Sequence, residues 1–235
     1  MNPPMCLPLT APWRVTQRAS GGATLADSAL LYQDEALLVL HKPPGLLSVP
    51  GRGANNQDCL SARVQAQFPD ALVVHRLDMA TSGLLLMARG AQAQRAINHA
   101  FAQGKVAKRY VAQVFGLLDP DGIWRTIDLP IAVDWPRRPL RVVAADGKPS
   151  QTRWRCLAQD VQGPSSRVEL EPLTGRSHQL RLHLQALGHP VVGDALYAPP
   201  SVQAMAPRLL LHACALSLVH PLSGRLMHWD CPAQF

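Results

Sequence analysis

The stretch His75-Arg76-Leu77-Asp78-Met79-Ala80-Thr81-Ser82-Gly83 runs straight into the apolar Leu84-Leu85-Leu86-Met87-Ala88. A short unbroken apolar run reads as a buried strand. The sequence therefore sets a histidine, an arginine and a carboxylate at the entrance of a strand, where a rigid element holds side chains for chemistry. Taken alone, His-Arg-Leu-Asp fits an ion pair capping a turn better than a site. Upstream, residues 36–41 form a second apolar run stopped by Lys42-Pro43-Pro44-Gly45, which predicts a strand and a rigid turn. Residues 56–68 have a helical start, with Asp58 near the first turn and Pro69 closing the segment. Downstream, residues 91–103 predict a helix with Ile97 and Phe101 on one face. Strands are expected at 110–115, 152–157 and 167–173, followed by a helix over 177–187 that Gly188 and Pro190 terminate. Residues 209–219 and 225–229, joined by a turn at 221–224, read as a terminal hairpin.

Strands and helices mix without a strict β-α-β alternation, and no repeat or Ser/Gly-rich linker divides the chain. That pattern predicts one α+β domain over residues 31–235, built on a mixed, mainly antiparallel sheet flanked by helices. Residues 1–30, rich in Pro, Ala, Gly and Ser, are expected to form a loose or wrapped arm. The proline-rich segments 136–139 and 198–207 read as surface excursions.

The 235 residues carry 23 Lys and Arg against 16 Asp and Glu, a formal charge of +7, with few aromatics. An excess of this sign favours an anionic partner. Nineteen of the cations are Arg, whose rigid fork suits phosphate, and only Lys42, Lys105, Lys108 and Lys148 are Lys. Arginine richness beside many Ala and Leu also fits a GC-rich genome, and composition does not separate the two. Position is more informative. Residues 79–118 hold no acid but five cations, and residues 172–229 hold Asp194 alone against Arg176, Arg181, Arg208 and Arg225. Acids gather at 119–134 and 160–171, so one positive face is expected.

Several classes drop out. No apolar run approaches the 18 or so residues of a membrane helix, and the start of the chain, with four prolines and no charge before Arg14, lacks the pattern of a signal peptide. A cytoplasmic protein is expected. Five scattered cysteines without a C-x-x-C pair argue against a disulfide framework or a thiolate zinc site. His178 and His183, five apart, are poorly spaced for two ligands on one helical face, so no metal is expected. Gly51-Arg52-Gly53 lacks a dinucleotide loop's third glycine, and Gly147-Lys148-Pro149 puts proline where a phosphate loop needs Ser or Thr.

What remains is an ordered set of motifs: Lys42-Pro-Pro-Gly45, His75-Arg-Leu-Asp78 with Thr81 and Gly83, Lys108-Arg-Tyr110, Thr174-Gly-Arg-Ser-His-Gln-Leu-Arg181, Gly188-His-Pro190, Gly193-Asp194 and Leu210-Leu-His-Ala213. Together they resemble the RluA family of pseudouridine synthases, from about Leu38 to the C-terminus. The resemblance implies a single catalytic domain with a central cleft, no S4 module, and isomerisation of uridine. In that reaction the N-glycosidic bond breaks, the uracil rotates, and its C5 is joined to C1′ of the same ribose. Nothing is oxidised and no group leaves, so no cofactor is implied. Asp78 matches the catalytic aspartate, which attacks the sugar or removes a sugar proton, Arg176 the active-site basic residue, and Tyr110 the tyrosine that stacks on the uracil. Arg76 matches the side chain that enters the space vacated by the flipped base. His75, Thr81, Lys108, Arg109, His178, Gln179, Arg181 and Leu182 are the further candidates for contact with substrate or RNA, Leu182 as a wall of the uracil pocket. Segments 134–139 and 146–149 are similar to the family's dual-specificity branch. This implies tRNA, at the first nucleotide of the anticodon loop, and 23S rRNA as partners of a monomeric enzyme.

Two other readings compete. A nucleoside or glycoside hydrolase also breaks a sugar bond with carboxylates, and glycosidases typically place a second carboxyl group roughly 5 to 9.5 Å away. The nearest later acids, beyond residue 118, leave Asp194 as a distant candidate. A non-catalytic RNA-binding protein would keep the basic segments but would not need Asp78, Tyr110 and Arg176 together.

Overall fold

The computed structural model describes residues 29–53 and 56–235. A ten-stranded sheet organises them. Its main path runs β1 (Leu30–Gln33), β2 (Leu37–Lys42), β4 (Ser82–Arg89), β11 (Leu211–Val219), β5 (Ala107–Phe115), β10 (Ser165–Pro172), β9 (Gln151–Asp160) and β6 (Arg125–Asp128). β3 (Ala71–Val73) adds to β4, and β12 (Leu226–Asp230) to β11. All pairings are antiparallel except that of β4 with β11. This is the mixed, mainly antiparallel α+β sheet that the sequence predicts.

The apolar run behind Asp78 forms β4, buried from Ser82 through Ala88. Strands covered on both faces read as unbroken apolar runs. β4 feeds two cores. Leu84, Leu86 and Ala88 pack with Ile97 of α2 (Gly90–Ala102), while Leu85 and Met87 pack with Leu60 and Val64 of α1 (Leu60–Gln65). A third core lies beyond β11, where Val114, Val168 and Leu170 meet Leu180 and Leu184 of α3 (Gln179–Ala186).

Gly83 decides the parallel seam. Its φ is +111°, and a Cβ there would stand 2.3 Å from the Ala213 carbonyl oxygen. Only glycine permits that approach of β4 to β11.

Several elements differ from expectation. The helix expected over 56–68 is confined to α1, because Cys59 before it makes an isolated bridge to Leu47. β1, β3 and β6 escape the sequence reading, being three or four residues long. The segment 136–139 is an exposed turn, but it caps a separate two-stranded sheet of β7 (Ile131–Val133) and β8 (Arg141–Val143). The segment 198–207 contains the short α4 (Pro200–Gln203). The expected arm over 1–30 lies outside the described residues but for its last two, and Leu30 already belongs to β1. No helix among the described residues is long and apolar enough to cross a membrane.

Candidate active site

Asp78 stands at the mouth of β4 on a chain segment fixed from both sides. Ser48 Oγ donates to the Leu77 carbonyl at 2.7 Å and accepts the Leu77 N–H at 3.1 Å. Beyond Asp78, the Met79 carbonyl accepts from Gly45 N at 2.8 Å and from Lys42 Nζ at 2.9 Å. Lys42 is fully buried, and its ammonium donates to the Pro43 and Leu46 carbonyls as well. The Lys-Pro-Pro-Gly turn is thus a clamp on the Asp78 segment. Burial lowers the Lys42 pKa to about 8, the charge of Asp78 opposing the shift. Thr81 N–H closes the turn onto the Asp78 carbonyl at 3.1 Å, and the Asp78 side chain keeps 26% of its surface exposed.

The cation at Asp78 is Arg181, in the first turn of α3. Its Nη1 lies 3.4 Å from Asp78 Oδ2, while Nε and Nη2 grip Asp194 at 2.7 and 2.5 Å. Asp194 is fully buried and also accepts the N–H groups of Leu196 and Tyr197. This bidentate hold leaves one corner of the guanidinium pointing at Asp78, the geometry in which arginine adds direction as well as charge. Arg176, expected in this place, sits before the helix, and its Nε donates instead to the Pro149 carbonyl at 3.3 Å. The structure gives the cation position to Arg181 because the helical register, not the loop before it, points at the strand mouth.

His178 completes the cluster. It holds φ +59°, the only non-glycine residue among those described with positive φ. A conformation of this kind costs about 1–3 kcal/mol and persists where its surroundings over-determine it. Here the ring is fixed at both ends: Nε2 faces Asp78 Oδ1 at 4.0 Å and Nδ1 lies 2.6 Å from Tyr197 Oη. Tyr197 Oη already accepts the Arg141 N–H at 3.0 Å. Its hydroxyl proton is then free to donate to Nδ1, the arrangement that turns Nε2–H toward Asp78. Burial lowers the His178 pKa, and Asp78 works against that shift.

Tyr110, on β5, packs against Ala80 and Leu180 in one apolar cluster and Leu77 in another. Burial and the charge of Asp78 both push its phenol pKa up, which keeps it protonated. Leu180 is thus the α3 leucine that shares an apolar cluster with Tyr110. Leu182, the expected pocket wall, points the other way, against Ile131 and Tyr197, and lines a cavity of about 300 Å³ beside the β7–β8 hairpin.

The remaining candidates divide by what holds them. Arg76 is exposed, with Nη2 3.3 Å from Ser177 Oγ. Lys108 stands over the Phe101 ring at 6.0 Å, partly buried, which lowers its pKa. Four others are engaged inside the protein rather than presented at the surface. His75 Nε2 accepts the Leu86 N–H at 2.9 Å, and burial pushes its pKa down to about 3. Thr81 is buried. Gln179 is buried with its oxygen accepting from Thr174 and Arg176 and its nitrogen donating to Gln151 and Thr152. Arg109 faces Glu169 and Glu171 from the neighbouring strand at 3.9 and 3.6 Å.

One trio of metal-ligating groups, His41, His212 and Cys231, comes within 4.8 Å of one another. Both ring nitrogens of His212 are engaged, by Ser82 Oγ and the Cys231 carbonyl, so the donor set is incomplete. Asp194 cannot serve as the second carboxylate of a hydrolase either, because both its oxygens are held by Arg181 out of reach of water.

Residues 36–186 match the family model of RNA pseudouridylate synthase. The chain belongs to the RNA pseudouridylate synthase family. This synthase is 49% identical over 208 residues to a dual-specificity RNA pseudouridine synthase RluA of Yersinia pestis, covering 88% of the chain and 99% of that relative. It is 47% identical to the protein of the same name in Escherichia coli K12, at 88% and 93% coverage. The structure resembles human RNA pseudouridylate synthase domain containing 1, with a TM-score of 0.74, 29% identity, and coverage of 92% and 87%. The synthase is an isomerase acting on RNA. Tyr197 escapes the sequence reading as a site residue, and Asp194 enters it only as a motif member and a distant second carboxylate, not as the anchor of Arg181. Asp194 is the lone acid in residues 172–229, and that isolation was the available signal.

Proposed function

We propose that this synthase isomerises a uridine at the first nucleotide of the tRNA anticodon loop and a uridine in 23S rRNA, working as a cytoplasmic monomer without a protein partner or cofactor. The dual-specificity naming of its relatives supports two RNA targets. Asp78 is the catalytic carboxylate, attacking the sugar or removing a sugar proton. Arg181, held by Asp194, orients it. Tyr110 stacks on the uracil with its phenol protonated, and Leu180 lies beside it. Arg76 enters the space left by the flipped base, and Lys108 and Arg176 bind RNA near the entrance.

The observation that carries this reading is the asymmetry of the two carboxylates. One is partly open with a single fixed cation beside it, while the other is sealed. Such a site performs nucleophilic or proton chemistry on one face of a sugar without a second carboxylate to activate water. RNA labelled with tritium at uridine C5 tests it. Tritium release without free uracil is expected; free uracil would indicate hydrolysis, and neither product would indicate binding alone. Comparing pseudouridine positions in RNA from cells with and without the protein identifies the targets. Loss of signal at sites other than the anticodon loop and 23S rRNA overturns the target assignment.

A further inference from the structure

The β7–β8 hairpin stands outside the main sheet and carries a feature that the catalytic cluster does not use. At its tip Trp135 is 68% exposed, and the Arg138 guanidinium lies 3.6 Å from the centre of the indole ring. With one face under a cation and the residue still open to this degree, the opposite face of the indole is free. The hairpin from Ile131 to Val143 holds three arginines, Arg137, Arg138 and Arg141, against one acid, Asp134. Asp134 pairs with Arg137 at 2.7 Å. Among the described residues no carboxylate lies within 4.0 Å of Arg138 or Arg141.

The start of β8, next to the hairpin loop, borders the active site. Arg141 N–H donates to Tyr197 Oη, Tyr197 meets His178, and His178 faces Asp78. The Arg141 charge is close enough to bear on His178. Removing a uridine from its stack leaves its neighbours without a stacking partner. An indole with a bound guanidinium offers such a base a replacement surface, since every base has a π face and nearby arginines take the phosphate.

We propose that Trp135 is a stacking platform for an unpaired base of the RNA beside the target uridine, with Arg138 and Arg141 holding the adjoining phosphates. This rests on the reading that RNA is the substrate. A protein partner fits less well, because the exposed tip presents a single aromatic ring with a guanidinium over it and three arginines against one acid.

The test uses a synthetic tRNA anticodon stem-loop and the full-length chain, comparing Trp135→Ala, Trp135→Phe and the parent. Binding is measured directly, and turnover by tritium release. Trp135→Ala raises Kd and KM about tenfold, the scale of one base stacked on an aromatic ring. The loss falls on KM more than on kcat. Trp135→Phe, which keeps a ring, recovers most of it. Abasic substitutions scanned through the loop weaken the parent at one position and weaken Trp135→Ala no further there.

Binding of Trp135→Ala within twofold of the parent, equal losses with Ala and Phe, or abasic effects unchanged by Trp135→Ala overturn the proposal, whatever else the tip contacts. The binding measurement needs no turnover. A parent that binds this RNA but releases no tritium would sink the functional reading while the Trp135 comparison still judged the hairpin.

Discussion

Two clusters of tryptophan and arginine, one with three guanidinium groups over its ring and one with Arg138 over it, do opposite things with their charge. Around Trp124, the guanidinium groups of Arg109, Arg153 and Arg155 lie 4.6 to 5.0 Å from the ring centre. Glu169 and Glu171 neutralise them from β10, with Arg155 and Arg153 at 2.6 and 3.0 Å. Around Trp135, the hairpin's one acid is committed to Arg137, which leaves Arg138 and Arg141 without a carboxylate. The sequence suggests the reverse, since Arg109 lies in an acid-free stretch while the hairpin follows directly on an acidic one. Strand pairing explains the exchange. β10 lies between β5 and β9, and its register sets Glu169 beside Val111 and Arg155, and Glu171 beside Arg153. Neighbouring residues on adjacent strands touch whatever their separation in sequence.

The largest expected effect separates chemistry from both clusters. Asp78→Asn lowers turnover by about a thousandfold or more, on the scale of losing an essential acid-base or nucleophilic group. RNA affinity and thermal midpoint stay close to the parent, so each cluster can then be compared by binding alone. Retention of near-parental turnover would remove Asp78 from its role.

The second prediction sets the clusters against each other. Arg138→Gln with Arg141→Gln flattens the dependence of log Kd on log salt by about 0.7 to 0.9 for each phosphate that is no longer neutralised. Arg153→Gln with Arg155→Gln leaves that slope unchanged. It costs stability instead, about 1–2 kcal/mol in urea unfolding, because Glu169 and Glu171 lose partners. Equal changes in slope would erase the distinction.

A smaller effect probes how the hairpin reaches the site. Tyr197→Phe keeps the ring but removes the acceptor for Arg141 N–H and the donor to His178 Nδ1. A fall in kcat of about 5- to 10-fold with a shifted pH–rate profile is expected, the worth of one hydrogen bond. An unchanged profile would show that His178 needs no such partner.

Acid provides the mildest perturbation, and it spares both clusters because arginine stays charged. Burial lowers the pKa of His41, His75, His183 and His212 in the folded chain, that of His75 to about 3. Below the ordinary histidine value of about 6.5 the unfolded chain binds more protons than the folded one. Stability is therefore full above a pH of about 6.5 and declines as pH falls from there toward about 3. Thermal midpoints measured from about pH 8 to about pH 5 should be level at first and then fall. A midpoint that rises on acidification would contradict the buried, neutral state of these rings.

Much of the architecture was legible because β2 and β4 carry apolar runs and α2 a one-sided helical pattern, which local sequence reveals. The short strands β1, β3 and β6 were not legible, since three or four residues carry too little period. The same limit applies to the site. His-Arg-Leu-Asp marked the position of Asp78, but Arg181 and Arg176 lie five residues apart on one motif and sequence offers no means of choosing between them. The choice depends on the left-handed turn at His178 and on Asp194, 13 residues further on, which grips Arg181.

The sequence by itself determined the family, the α+β class, the strand that carries Asp78 and the positive character of the chain. These properties are local, or follow from the order of motifs. Only the tertiary structure decided which arginine reaches Asp78, which arginines remain free, and that Tyr197 and the β7–β8 hairpin border the site. Those properties depend on distances between residues far apart in the chain, set by strand register and by helix docking rather than by any local pattern.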